Sequence, residues 1–165
     1  MTTAAATALT LLALSGCGTL VAVSSEITPR PAACFTARPD SASDSFSTPV
    51  TLQAGASGIQ FADIRVGCGK VASASSTANV QFTVWLTDGT QVVTTRGQGA
   101  AANPLDLGNA QTLEFWRVGV PGMRVGGTRR LVVPPALAFG AAGNSSANVP
   151  PNATLVVDVE LVSLG

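Results

Sequence analysis

The set of reactive residue types in this chain excludes more reaction classes than it supports. The 165 residues contain no histidine, so a Ser-His-Asp triad, a Cys-His pair and an imidazole metal ligand are all absent. The three cysteines, Cys17, Cys34 and Cys68, are too scattered for a CxxC zinc site. Residues 67–70, Gly-Cys-Gly-Lys, lack the full G-x-x-x-x-G-K-[ST] frame of a phosphate loop, so they predict a turn. We therefore expect no metal, no cofactor and no nucleophilic hydrolysis.

Composition and charge limit the partners. Nine Lys and Arg balance nine Asp and Glu, so the formal net charge is zero and no electrostatic footprint for nucleic acid exists. The chain is 46% hydrophobic, which is enough to bury the core of one domain. We expect no nucleic-acid partner.

One helix is predicted between residues 107 and 123. Asn109 can cap it, Leu113, Trp116 and Val120 recur at the i, i+3, i+7 spacing of one face, and the chain breaks at Gly119 before Pro121-Gly122. This pattern predicts a helix of about two to three turns. A Trp on an apolar helix face is more often part of a core than of a binding site.

Strand patterns surround this helix. Alternation at 80–87 places Phe82 and Val84 on one face and Trp85 on the other, and Asp88-Gly89 predicts a hairpin to a strand at 91–93. Alternation also shifts register between 59–61 and 64–66, which predicts a bulge. Three further strands are predicted; they lie at 105–107, 129–133 and 155–161. We expect an α+β domain in which a curved antiparallel sheet wraps around one short helix.

The N-terminal region has the pattern of an export signal. Residues 4–14 are apolar or small, and the following Leu14-Ser15-Gly16-Cys17 resembles the lipobox of bacterial lipoproteins. By that resemblance, residues 1–16 are a signal peptide and Cys17 is lipidated, which would tether the protein to the membrane through its N-terminal lipid. Residues 1–3 lack the Lys or Arg of a usual signal, so either the start lies upstream or the signal is weak. The alternative to a cleaved signal is an uncleaved anchor that extends through Leu20 to Val23. Both interpretations place the rest of the chain outside the cytoplasm.

Residues 17–56 predict a tether, and residues 57–165 predict the folded domain. The segment from about residue 24 is rich in Ser, Thr, Ala and Pro without sustained periodicity, so it buries too little apolar surface to offset its ordering entropy. Because thiols pair in exported proteins, we predict a disulfide between Cys34 in the tether and Cys68 in the domain.

Five motifs within residues 57–165 carry a resemblance to a known family. They are VQFTVWLTDGT at 80–90, Trp116 with Gly119-Val120, residues 123–126, residues 134–140 and, most specifically, VPPNATLVVDVEL at 149–161. By these motifs, residues 57–165 resemble an FKBP-type peptidyl-prolyl cis-trans isomerase. It implies a shallow apolar pocket that receives a proline ring on Trp116 and binds a substrate carbonyl through the backbone N–H of Leu113. By the resemblance, the catalytic residues are Phe82, Leu113, Trp116 and Phe139. The substrate-binding residues it implies are Val92, Val93, Leu105, Thr112, Val149 and Val157.

Several of these positions depart from the family pattern. The family usually has Tyr where this chain has Phe82 and Phe139, Phe where it has Val92, and Asp where it has Val93. The resemblance therefore implies an enzyme for X-Pro rotation that has lost side-chain hydrogen bonds to its substrate. The alternative is a catalytically weakened binding module or chaperone for apolar or proline-containing segments, and the third possibility is a purely structural domain. The expected partners are proline-containing polypeptides, and we expect a monomer.

Overall fold

A computed structural model describes residues 45–47, 50–97 and 100–165. These described residues belong to one compact unit. The predicted signal peptide, the lipidation site Cys17, Cys34 and most of the predicted tether lie outside the described residues. Within the described ranges, no helix is long and apolar enough to cross a membrane.

Within the described ranges, seven strands form one antiparallel sheet, and one short α-helix packs on it. The strands are β1 (Gln53–Ala54), β2 (Gln60–Arg65), β3 (Thr77–Leu86), β4 (Gln91–Thr94), β5 (Asn103–Asp106), β6 (Thr128–Val133) and β7 (Leu155–Leu164). The helix is α1 (Glu114–Gly119). The strand order is β1-β2-β6-β7-β3-β4, and β5 also pairs with β3. The predicted fold class is confirmed.

Local sequence signals account for the shape of the sheet. Gly89 adopts a positive φ of 87° in the turn between β3 and β4, and the Asp88 carboxylate accepts a hydrogen bond from the Thr90 N–H at 2.8 Å. The register between β2 and β6 shifts between Asp63 and Arg65, which confirms the predicted bulge. Strand β6 ends at Val133, immediately before Pro134, because proline cannot donate a ladder hydrogen bond.

The predicted start of the helix at Asn109 is wrong. Helix α1 has six residues and begins after Leu113, whereas Asn109 lies in a preceding turn. Its side-chain oxygen accepts from the Gln111 N–H at 2.9 Å. Asn109 therefore stabilises a local Asx turn rather than capping the helix, because short polar side chains serve both roles equally well. The predicted end at Gly119 is confirmed.

The start of the predicted domain is also corrected. Gln53 pairs with Phe61 and Ala54 pairs with Gln60, so the last residues of the segment predicted as a tether form strand β1. Backbone hydrogen bonds to a neighbouring strand stabilise this pair without any apolar periodicity. The folded domain therefore includes residues before position 57.

The core lies between the concave face of the sheet and α1. The inward side chains of β7 are Leu155, Val157, Val159 and Leu161, and all are fully buried. Phe115 and Trp116 of α1 belong to the same cluster. Each buried aliphatic side chain contributes roughly 1.5–3 kcal/mol relative to exposure, so this contact fixes α1, and with it Trp116, against the sheet.

Candidate functional site

A cavity of about 170 Å³ opens between the β3–β4 hairpin, α1 and the segment from Phe139 to Val149. Eleven residues line it; they are Phe82, Val84, Val92, Val93, Leu113, Phe115, Trp116, Phe139, Ala147, Val149 and Leu155. All eleven side chains are apolar, and no ionisable group is among them. An apolar cavity of about 150 Å³ is large enough to bind benzene, so this one has room for a five-membered proline ring.

Trp116 forms the buried end of the cavity. Its residue surface is 5% exposed, and its ring packs against Phe82 at 5.0 Å between centroids and against Phe115 at 4.4 Å. Both pairs are tilted, with interplanar angles of 58° and 37°, which are arrangements that aromatic quadrupoles favour. Two neighbouring rings therefore fix the indole, and its remaining surface borders the cavity.

The segment from Phe139 to Val149 closes the opposite side. Backbone hydrogen bonds of 2.8 Å join Asn144 and Val149 in both directions, and Gly143 has a positive φ of 65°. A Cβ at Gly143 would lie 2.6 Å from the Val149 carbonyl oxygen, so only glycine fits this turn. The tight turn brings Phe139, Ala147 and Val149 to one rim of the cavity.

Leu113 supplies the backbone donor beside the cavity. Its carbonyl accepts from the Trp116 N–H at 3.0 Å and starts α1, whereas its own N–H has no hydrogen-bond partner among the described residues. A backbone N–H that lacks an internal partner is available to water or to a ligand carbonyl. This is the only hydrogen-bonding role that the sequence interpretation assigned to the site.

The structure brings seven of the ten predicted site residues to this cavity. Those seven are Phe82, Val92, Val93, Leu113, Trp116, Phe139 and Val149. The other three lie elsewhere among the described residues. Leu105 is on β5 opposite Ala78, the Thr112 hydroxyl donates to the Asp106 carbonyl at 2.7 Å, and Val157 is buried in the core.

The register of the sheet explains the position of Leu105. Strand β5 pairs with the first half of β3, at residues 77–80, but the cavity borders the second half at Phe82 and Val84. On β7, Val157 pairs with Val84 but is fully buried in the core, and Leu155 on the same face lines the cavity. The sequence pattern identifies the face of a strand but not how far along the strand the site lies.

Four lining residues were absent from the sequence prediction: Val84, Phe115, Ala147 and Leu155. Alternation provides a signal for Val84, because it shares a face with Phe82, and for Leu155, because it shares one with Val157. Phe115 adjoins Trp116 in the chain. Ala147 has no sequence signal, because its position depends on the turn at Gly143.

The electrostatics of the site favour neither acid-base nor metal chemistry. Among the described residues no group of three or more His, Cys, Asp or Glu could hold a metal ion. Asp88 has its pKa lowered by the hydrogen bond from the Thr90 N–H, but it lies in the hairpin turn and does not line the cavity. What the cavity can do is desolvate an apolar group and hold it in a fixed orientation.

Cys68 lies outside the cavity and is disulfide-bonded. The other two cysteines of the sequence, Cys17 and Cys34, both lie outside the described residues. The predicted pairing with Cys34 stays a prediction.

Comparisons with known proteins agree on one family. The family model described as FKBP-type peptidyl-prolyl cis-trans isomerase matches residues 68–162. FK506-binding protein 1 of Dictyostelium discoideum is 36% identical over 106 residues, which cover 64% of this chain and 97% of that protein. The 46 kDa FK506-binding nuclear protein of Spodoptera frugiperda is 37% identical, and this chain spans only 25% of its length.

A solved structure is similar to this chain in fold and in sequence. The crystal structure of FkpA from Escherichia coli is similar with a TM-score of 0.61 and 30% identity, over 68% of this chain and 51% of that one. The residues matched by the family model include every residue that lines the cavity.

Proposed function

Because the chain belongs to the FKBP-type peptidyl-prolyl cis-trans isomerase family, we propose that its apolar cavity catalyses rotation about X-Pro peptide bonds. The observation that carries this proposal is the cavity itself, which combines a fixed Trp116, ten further apolar side chains and the adjoining N–H of Leu113. The proposed substrates are proline-containing polypeptides.

The barrier of this reaction suits a site without acids, bases or nucleophiles. Amide resonance sets a rotation barrier of about 18–20 kcal/mol, and resonance separates charge between the amide nitrogen and oxygen. An apolar environment disfavours that charge separation and so lowers the double-bond character of the C–N bond. A site that holds the twisted imide better than either planar isomer accelerates rotation in both directions.

We assign the parts of the site accordingly. Trp116 packs against the proline ring, and the walls that contain Phe82 and Phe139 exclude water from the rotating bond. The Leu113 N–H binds a substrate carbonyl and prevents the flanking chain from rotating with the bond. Holding one side of the bond fixed converts binding energy into stabilisation of the twisted state.

A second function is favoured by the lack of polar side chains in the cavity. Each absent side-chain hydrogen bond removes about 0.5–1.5 kcal/mol of the interaction energy that would orient the substrate. A loss of about 1.4 kcal/mol in the transition state lowers the rate roughly tenfold. A cavity with this lining also suits a module that binds apolar or proline-containing segments without fast turnover. The two functions differ in whether binding is accompanied by catalysis.

An isomerisation assay with a proline tetrapeptide separates them. We expect the full chain to accelerate cis-to-trans conversion, and we expect Phe82→Tyr with Val93→Asp to raise kcat/KM severalfold by supplying polar groups to the wall. Leu52→Ala, an exposed position upstream of the sheet, is the matched control and should leave the rate unchanged. Peptide binding without any acceleration would establish the binding module instead.

We also propose that the protein is exported and held at a bacterial membrane by a lipid on Cys17. Support comes from the apolar run and the lipobox-like residues 14–17. Expression in a bacterial host should give protein that partitions into detergent and carries acyl mass on Cys17. If a Cys17→Ala variant were processed and membrane-bound to the same extent, the lipid-anchor proposal would be withdrawn.

A further inference from the structure

The convex face of the sheet, opposite the cavity, is covered. Along β7 the outward side chains alternate with the core residues, yet Val156, Asp158 and Glu160 are only 8%, 2% and 5% exposed. An antiparallel sheet with its helix on the other face usually leaves this face in water. The described residues that contact it from upstream in the chain are Ser45 and Phe46.

Arg130 joins the upstream residues to the sheet. Its guanidinium binds the Asp158 carboxylate through two hydrogen bonds of 2.6 and 2.7 Å. The same group donates to the carbonyl oxygens of Phe46 at 2.9 Å and of Ser45 at 2.6 Å. Asp158 therefore fixes the planar guanidinium of Arg130, and that guanidinium also binds two successive backbone carbonyls.

Phe46 adds a side-chain contact to this backbone clamp. Its ring packs on Trp85 at 6.1 Å between centroids and an angle of 59°. It also covers Gly89, where an added Cβ would lie 3.2 Å from the Phe46 Cδ1 atom. The hairpin glycine thus provides space for the phenyl ring, and Trp85 is 4% exposed beneath it.

We propose that the convex face is a docking surface for residues 45–47, hereafter the upstream segment, in which Arg130 binds the backbone carbonyls and Phe46 supplies the side-chain contact. Successive side chains of β3 point to opposite faces. Val84 lines the cavity, and Trp85 contacts Phe46. The upstream segment therefore meets the domain on the face away from the cavity.

Hydrogen exchange on the full chain tests the docking. In Phe46→Ala, amides of residues 50–54 and of the hairpin at 87–91 should exchange at least tenfold faster than in the wild type. Leu52→Ala, which truncates an exposed apolar side chain in the same stretch, should leave the hairpin amides unchanged. Phe46→Leu should lie between the wild type and Phe46→Ala. Equal hairpin exchange in the wild type and in Phe46→Ala would overturn the proposal.

A second measurement needs no variant. Chymotrypsin should cut after Phe46 at least tenfold more slowly in the wild-type chain than in a synthetic peptide of residues 43–50, because docking protects that bond. Equal rates would show that Phe46 is not docked in solution. Neither measurement uses a proline substrate, so failure of the docking and failure of the isomerase proposal are distinguishable.

Discussion

Gly119 couples the stability of the domain to the position of Trp116, and its replacement gives a quantitative test of the packing. Gly119 is the last residue of α1, three positions after Trp116. A Cβ there would lie 2.7 Å from Cδ1 and 3.1 Å from Cδ2 of Leu131, which is fully buried in β6. The Gly119 carbonyl also accepts from the Arg129 guanidinium at 3.0 Å. The helix end therefore has little freedom to move away.

We expect Gly119→Ala to lower the free energy of unfolding by about 1–2 kcal/mol. Overpacking of a tight core costs about 1–3 kcal/mol, and replacing glycine by alanine in a helix returns at most about 1 kcal/mol. Equilibrium urea unfolding followed by tryptophan fluorescence measures the difference. Gly108→Ala is the matched control, because its Cβ would meet no atom closer than 3.4 Å and its free energy should change by less than about 0.5 kcal/mol.

A double variant identifies the cause. Leu131→Val removes both Cδ atoms that the new methyl group meets, so Gly119→Ala should be nearly harmless in the Leu131→Val background. The predicted coupling between the two substitutions is about 1 kcal/mol or more. If their effects simply add, or if Gly119→Ala stabilises the wild type, the contact between α1 and β6 is not as tight as described.

Two further predictions concern charged groups away from the cavity. The Glu160 carboxylate binds the guanidinium groups of Arg65 at 2.9 Å and Arg96 at 3.0 Å. Glu160→Gln should lower the free energy of unfolding by about 3 kcal/mol, because these two largely buried guanidinium groups lose their shared carboxylate. The exposed Glu114→Gln is its control, and an equally small effect of both would contradict the interpretation. The hydrogen bond from the Thr90 N–H lowers the pKa of Asp88 from its ordinary 3.8. The contribution of the Asp88 carboxylate to the stability of the folded state is therefore complete above pH 3.8 and is lost as the pH falls through the lower folded-state pKa. The stability difference between wild type and Asp88→Asn should therefore shrink below pH 3.8, and a difference that grows in acid would contradict this sign.

The sequence was sufficient to predict those features of the fold that depend on local residue patterns. Alternation along 80–87 and 155–161, the Asp88-Gly89 turn and the stop at Pro134 each determine the conformation of the residues that carry them. The helix end at Gly119 is of the same kind. These signals, together with the family resemblance, predicted the fold class and placed Trp116 among the site residues.

Features that depend on distant contacts were not predictable in this way. Asn109 suits a helix cap and an Asx turn equally, and only the packing of α1 determines that the helix starts after Leu113. Leu105 and Val157 share the correct faces of their strands, but the register places Leu105 beside the first half of β3, and Val157 is fully buried in the core. Strand β1 and the contact of Phe46 with Trp85 have no periodicity of their own, because both arise from a sheet that is already formed.

The central claim is that packing on Trp116 drives X-Pro rotation, and one comparison tests it most directly. The rate of cis-to-trans isomerisation of a proline tetrapeptide should be measured with the full-length wild type, Trp116→Ala and the control Leu52→Ala, with circular dichroism to confirm that each is folded. Truncation of a buried aromatic residue removes several kcal/mol of packing, so we expect Trp116→Ala to lose at least about tenfold in kcat/KM and Leu52→Ala to match the wild type. Catalysis by folded Trp116→Ala at the wild-type rate would show that Trp116 belongs only to the core and would contradict the account.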